Sequence, residues 1–220
     1  MARRTYGQFC GLAEALDLVG ERWTLLIVRD LSFGARRFSD LAEGLPGVST
    51  ALLTDRLRHL EAQRLVRRVF APPPVEAVVY ELTEDGESLF EALMPLAGWG
   101  LKRLDPEAEG RTGRAEWLAL QFRQSFRPER AAGVRETYEL RVGEDVFTLI
   151  VDDGDLRLVR GPVDDPDVVC ETDFDTLMDL GLQRLRAPEA VKAKRMTTRG
   201  PRDAVERMHE IFLGPVAVRA

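Results

Sequence analysis

The sequence predicts an α+β protein built in two parts, and three observations carry that prediction. The stretch 38–68, FSDLAEGLPGVSTALLTDRLRHLEAQRLVRR, holds two short helical patterns that meet at a Pro-Gly break and are followed at once by a basic strand. The stretch 105–114, DPEAEGRTGR, has Pro, Gly and charge but no apolar residue other than Ala, which is linker composition. Beyond it, strand-like runs joined by turn signals stand between helical patterns, as in an antiparallel sheet with helices packed on it. The expected division is 1–104, a linker at 105–114, and 115–220.

The 220 residues are 31% charged and 45% hydrophobic, which suits one large or two small globular domains, each able to bury a core. No run of 18 apolar residues occurs, and the basic start is not followed by an apolar signal region, so a cytoplasmic protein without a membrane partner is expected. Two cysteines, Cys10 and Cys170, are too few for a disulfide framework or a four-ligand zinc site. The net charge of −6 argues at first against a nucleic-acid partner. Yet residues 36–68 hold seven arginines against four acids. Phosphate affinity depends on the face that makes contact, and here that face is basic.

In the first part, Leu12, Ala15, Leu16 and Val19 form an apolar stripe that Gly20 ends. Trp23, Leu26, Ile27 and Leu31 are spaced as a buried helix over 21–31, closed by Ser32-Phe33-Gly34. Phe38, Leu41, Ala42 and Leu45 give one short helix. Leu45-Pro46-Gly47-Val48 cannot continue it, because the position before Pro is pushed out of the α region and Gly permits a sharp change of direction. Ser49 then caps a helix over 49–62 whose buried side is Leu53, Leu57 and Leu60. Leu65 to Phe70 and Val78 to Leu82 read as a two-stranded hairpin with a stiff tip, Ala71-Pro72-Pro73-Pro74-Val75-Glu76. The outline is a helix-turn-helix with a wing. Thr83 caps a last helix with apolar positions Leu89, Phe90, Leu93, Leu96, Ala97, Trp99 and Leu101 on more than one face and Pro95 within it. A surplus of apolar surface on such a helix predicts pairing with a second copy, giving two recognition helices for a palindrome.

In the second part, a helix from Trp117 to Phe126 precedes strands at 136–142, 146–151 and 156–160, the last two joined by Asp152-Asp153-Gly154-Asp155. A short strand at 168–171, a helix from Asp173 through Leu185, a strand at 196–198 and a closing helix at 202–212 complete it. The acidic cluster Asp152, Asp153, Asp155, Asp164, Asp165 and Asp167 lacks the spacing of a calcium loop and is ordinary turn chemistry. No metal or cofactor is expected.

The segments CGLAEALDLVGERWTLLI at 10–27, RFSDL at 37–41, Val48-Ser49, LTDRL at 53–57 and Leu60-Glu61 resemble the HxlR family of bacterial winged-helix transcription regulators over residues 8–103. By strand order, the FTLIVDDGDL hairpin and the helix that follows, 117–212 is similar to the sterol-carrier-protein-type (SCP2-like) lipid-binding domain. The first resemblance implies a homodimer on operator DNA. The second implies an apolar ligand cavity.

On this reading Ser49, Thr50, Ala51, Thr54 and Asp55 start the helix that enters the major groove, Ala51 suited to a thymine methyl and Asp55 to a cytosine amino group. Arg58 lies a turn deeper, facing base or phosphate. Arg36, Arg37, Arg67 and Arg68 are placed for phosphates, although alternation along a strand should keep Arg67 and Arg68 from pointing outward together. Arg56 lies on the flank, where a salt bridge to a neighbouring helix competes with a phosphate contact. The competing account of the whole face is the solvated side of a core helix, and the adjoining turn, hairpin and arginines argue against it. Cys10 sits at the N-terminal edge of the first helix, where the dipole favours a thiolate. The resemblance implies a redox switch there, while the residue type alone favours a small apolar residue packed at a dimer interface. Cavity candidates are Trp117, Phe122, Phe147, Leu149, Leu177 and Met178, which a filled core would use equally. No Gly-x-Ser-x-Gly, phosphate-binding Gly loop or metal histidine pair occurs, and His59 is expected on an exposed flank, so no enzymatic site is expected. The alternative to a regulator is a lipid or small-molecule carrier whose winged helix only dimerises or binds protein.

Overall fold

A computed structural model describes residues 5–73, 76–105 and 113–213. The chain packs as two compact units, Met1–Leu96 and Ala97–Ala220. Most of the expected linker, 106–112, and the two tip residues Pro74 and Val75 lie outside the described residues.

The first unit runs α1 (Gly11–Val19), α2 (Thr24–Leu31), β1 (Arg36–Arg37), α3 (Phe38–Gly44), α4 (Thr50–Ala62), β2 (Val66–Ala71), β3 (Ala77–Leu82) and most of α5 (Glu84–Leu101), whose residues from Ala97 on belong to the second unit. Its core is drawn from Ile27, Val28, Leu31, Leu41, Leu45, Leu53, Leu57, Leu60, Val66, Val79 and Phe90, all buried. The turn between α3 and α4 is closed by Val48 N–H on the Leu45 carbonyl at 3.1 Å, with Gly47 at φ 93. That positive φ behind Pro46 is the type II arrangement that only Gly adopts freely.

Four expectations are corrected here. Trp23 is not inside a helix but precedes α2 in the left-handed region, φ 77, and Leu26 is exposed. A left-handed conformation in an aromatic residue costs on the order of 1–3 kcal/mol. The Trp23 ring lies 3.7 Å from where a Cβ on Gly47 would be, so burial against the turn helps to hold that conformation. The wing is three-stranded, in the order β1-β3-β2, because Arg36 and Arg37 pair with Tyr80 and Val79; a two-residue strand has no periodicity to read. Arg67 and Arg68 are both exposed, since β2 is an edge strand wetted on both faces. His59, expected on an exposed flank, is half-buried with Nε2 at 2.7 Å from the Leu18 carbonyl, which ties α4 to α1.

After the end of α5, the second unit continues with α6 (Ala115–Ala119), α7 (Gln121–Ser125) and α8 (Pro128–Ala131), then β4 (Arg135–Val142), β5 (Asp145–Asp152), β6 (Asp155–Arg160) and β7 (Val168–Thr172). It ends with α9 (Phe174–Gly181), α10 (Ala187–Lys192), β8 (Met196–Arg199) and α11 (Arg202–Leu213). The five strands form one sheet, β6-β5-β4-β7-β8, antiparallel except for the β4-β7 pair. Asp153-Gly154, φ 50 and 91, makes the two-residue turn between β5 and β6, and a positive φ at both positions matches the right-handed twist of the strands. Two helices expected as single runs differ: the first breaks at Leu120, and the second stops at Gly181, short of Leu185, while α10, with Pro188 in its first turn, lies beyond the expected helix.

Candidate nucleic-acid interface

Ser49 builds the start of α4: its hydroxyl accepts the Leu52 N–H at 3.2 Å, satisfying one of the helix's open donors. With Leu53, Leu57 and Leu60 buried, helical geometry turns Thr50, Ala51, Asp55 and Arg58 to solvent, with Thr54 half-buried beside them. Thr54 Oγ1 donates to the Thr50 carbonyl at 2.8 Å, which restrains its rotamer.

The arginines divide into two groups. Arg58 and Arg68 are exposed and pair with no acid among the described residues. Arg67, also exposed, is held by Glu81 across the strand pair at 2.6 Å. Arg56 bridges Asp55 at 2.7 Å and Glu21 at 3.2 Å, and its Nε donates to the Arg22 carbonyl, so it joins α4 to the segment before α2. For Arg56 that geometry is a structural ion pair in place of a phosphate contact. It also engages the Asp55 carboxylate that a cytosine would need. Arg36 is buried, with Nε donating to the Asp30 carbonyl at 2.9 Å. Its place among the phosphate candidates is therefore corrected, because a two-residue strand turns that side chain inward. Arg37 stays exposed, its backbone N–H capped by Asp40 at 3.1 Å.

Cys10 is exposed at the N-cap of α1, and the neighbouring backbone N–H groups of Ala13 and Leu12 lower its pKa. Cys170, buried in β7, has its thiol pushed up to about 12 by desolvation. Around Cys10 lies a group of exposed apolar side chains: Tyr6, Phe9, Leu12 at 69% and Leu16 at 42% exposure. The α5 helix exposes Leu96 and Trp99 as well, the Trp99 ring stacked under Arg103 at 3.9 Å.

In the second unit, a cavity with about 90 Å³ open to the centre of a water molecule lies between the sheet and its helices. Of the six candidates read from the sequence, Phe122, Leu149 and Leu177 line it; Trp117, Phe147 and Met178 do not. Phe147 is fully buried and Trp117 and Met178 half-buried elsewhere. Gln121 and Gly181, also on the wall, escaped sequence reading because neither has an apolar period to mark it.

A tight-turned pair of helices with the second displayed, followed by a basic hairpin, defines the first unit as a winged helix-turn-helix. The comparisons agree with that class. The chain belongs to the HxlR-like helix-turn-helix family, whose model matches residues 18–108. A helix-turn-helix-type transcriptional regulator of Mycobacterium tuberculosis is 44% identical over 110 residues, covering 50% of this chain and 67% of that protein. The transcriptional regulator YodB of Bacillus subtilis is 33% identical over 95 residues, covering 43% of this chain and 85% of YodB. The solved reduced form of YodB aligns over 46% of this chain and all of its own, at 32% identity and a TM-score of 0.39. No described helix is long and apolar enough to cross a membrane.

Proposed function

We propose that the protein is a transcription regulator that binds double-stranded operator DNA as a homodimer, with α4 in the major groove and the β2-β3 wing on the adjacent backbone. The observation that carries this reading is the outer face of α4, where Thr50, Ala51 and Arg58 are exposed and Thr54 half-buried beside them, together with the exposed Arg67 and Arg68 on the wing. Hydroxyl, methyl and guanidinium groups are the chemistry that reads base edges, and Arg37, Arg67 and Arg68 suit phosphates. Ser49 contributes by ordering the helix start, and Asp55 by orienting Arg56.

Selection of duplexes from a random pool tests this directly. A palindrome should emerge with half-sites about one helical turn apart, and its affinity should fall steeply with salt. Weak binding without preference, and the same for every duplex, would favour the carrier reading instead. Arg58→Ala and Thr54→Ala should each weaken the selected site by about 1–3 kcal/mol if they touch bases. Arg68→Ala should weaken all sequences alike and reduce the salt slope by about one. Electrophoretic mobility shifts at three salt concentrations separate these outcomes.

The second unit is proposed to be an SCP2-like module whose cavity receives a small apolar molecule and so biases the spacing of the recognition helices. Support comes from the wall, where Phe122, Leu140, Leu149, Leu177, Met196 and Phe212 surround open space.

Cys10 is proposed as an accessible reactive thiol. Because its pKa is lowered and that of Cys170 raised, the thiolate fraction near neutral pH favours Cys10. Alkylation of the native protein followed by mass spectrometry should label Cys10 far faster, with a rate that already levels off at a pH where a free thiol's rate is still rising. Equal rates at the two cysteines would remove the switch.

A further inference from the structure

Most polar side chains on the wall of the second unit's cavity are already engaged. The Tyr138 hydroxyl donates to Glu136 at 2.6 Å, Thr172 Oγ1 donates to the Arg195 carbonyl at 3.1 Å, and the Glu139 carboxylate is held by Arg141 at 2.7 Å. Gln121 differs from them. Its Nε2 is buried without an acceptor among the described residues, although an amide N–H removed from water ordinarily finds one. Its position is built, not incidental: the amide lies flat on the backbone of Gly181, where a Cβ would come within 1.8 Å of Oε1 and 2.1 Å of Nε2. Any other residue at 181 would displace the amide. Apart from Ser125, which is exposed at the rim, and Gly181, the rest of the wall is aliphatic, aromatic or sulfur-bearing, and no Lys, Arg or His stands on it.

Resting on the reading of this cavity as a ligand site, we propose that its ligand is an uncharged aliphatic molecule carrying one carbonyl or hydroxyl oxygen, which accepts the Gln121 Nε2–H. The oxygen completes the buried open donor, and the chain fills the apolar remainder. A carboxylate is disfavoured. An ion in such a cavity needs a paired charge, and the one carboxylate on its wall, Glu139, carries the wrong sign. The volume has room for at least about six water molecules, so an aliphatic chain of at least that many carbons fits.

Titration of the full chain with 2-octanone, hexane and octanoate at pH 8, followed through the Met196 and Met208 methyl resonances, tests the proposal. The ketone should bind, with the octanoate anion at least about tenfold weaker. Gln121→Leu should weaken the ketone about tenfold and leave hexane unchanged. Gln121→Met serves as a second near-isosteric variant should Gln121→Leu fail to fold. Octanoate binding as tightly as the ketone, or ketone and hexane responding alike to the substitution, would overturn the inference while leaving the cavity a ligand site. Should none of the three ligands perturb the wild-type methyls, both the inference and the ligand-site reading fall.

Discussion

Replacing Leu12 and Leu16 together by glutamate is expected to turn the proposed dimer into monomers and to lower affinity for a palindromic site at least about a hundredfold. The two side chains sit one turn apart on α1 and are exposed, with Phe9 and Tyr6 beside them. Of the apolar stripe Leu12, Ala15, Leu16 and Val19, only Val19 is thus covered in the single chain, where Ala13 is the other buried residue of α1. Two carboxylates placed in an interface of that composition would be desolvated without partners, a cost that an association of ordinary strength does not survive. The monomer's fold should be intact, because neither leucine contributes to the buried core, and circular dichroism should show no change. Once the pair is broken, each recognition helix binds its half-site alone and the gain from linkage is lost. Light scattering and mobility shifts on whole and half palindromes read the two effects separately. A double variant that remains dimeric with unchanged affinity would move the interface elsewhere, for which Leu96 and Trp99 on α5 are the next surface to charge.

How far the sequence could be read depended on whether an element announces itself by period. The Leu53, Leu57 and Leu60 spacing locates α4, and its boundaries follow from Ser49 as cap and from the Pro46-Gly47 turn. The hairpins were legible for the same reason: alternating apolar residues flank turn residues suited to positive φ, as at Asp153-Gly154. What escaped was set by tertiary contact. The β1 strand is two residues long and exists because β3 offers a free edge. That pairing buries Arg36, which by sequence stands in a basic cluster and by structure bonds Asp30. Arg56 shows the same limit, since its partner Glu21 is 35 positions away. In the second unit, alternation locates the strands, yet only half of the cavity candidates reach its wall, because inward-facing apolar residues look alike whether they fill a core or border a space.

A glycine that the pattern did not distinguish gives the largest expected effect on stability. Gly86 lies in the first turn of α5 at an ordinary helical position, where alanine would normally be preferred by about 1 kcal/mol. Here a Cβ would stand 2.0 Å from the Leu65 carbonyl oxygen and 3.2 Å from Leu82 Cδ2. That oxygen accepts the Thr83 N–H at 3.1 Å, and the Thr83 hydroxyl in turn caps the helix by accepting the Gly86 N–H at 3.1 Å. The obstacle is backbone, so no rotamer change relieves it. Either α5 lifts from the strand or the carbonyl turns away and gives up its donor. Gly86→Ala should therefore cost about 3 kcal/mol instead of adding stability. In urea the midpoint of the first unit's transition should fall by on the order of 1 M, with its slope unchanged. Gly11→Ala is the matched control, since it too is helical but meets nothing within 4 Å, and it should be neutral or slightly stabilising. A Gly86→Ala protein as stable as the wild type would mean that α5 is not seated on the Leu65 carbonyl, and the placement of the wing beneath it would need revision.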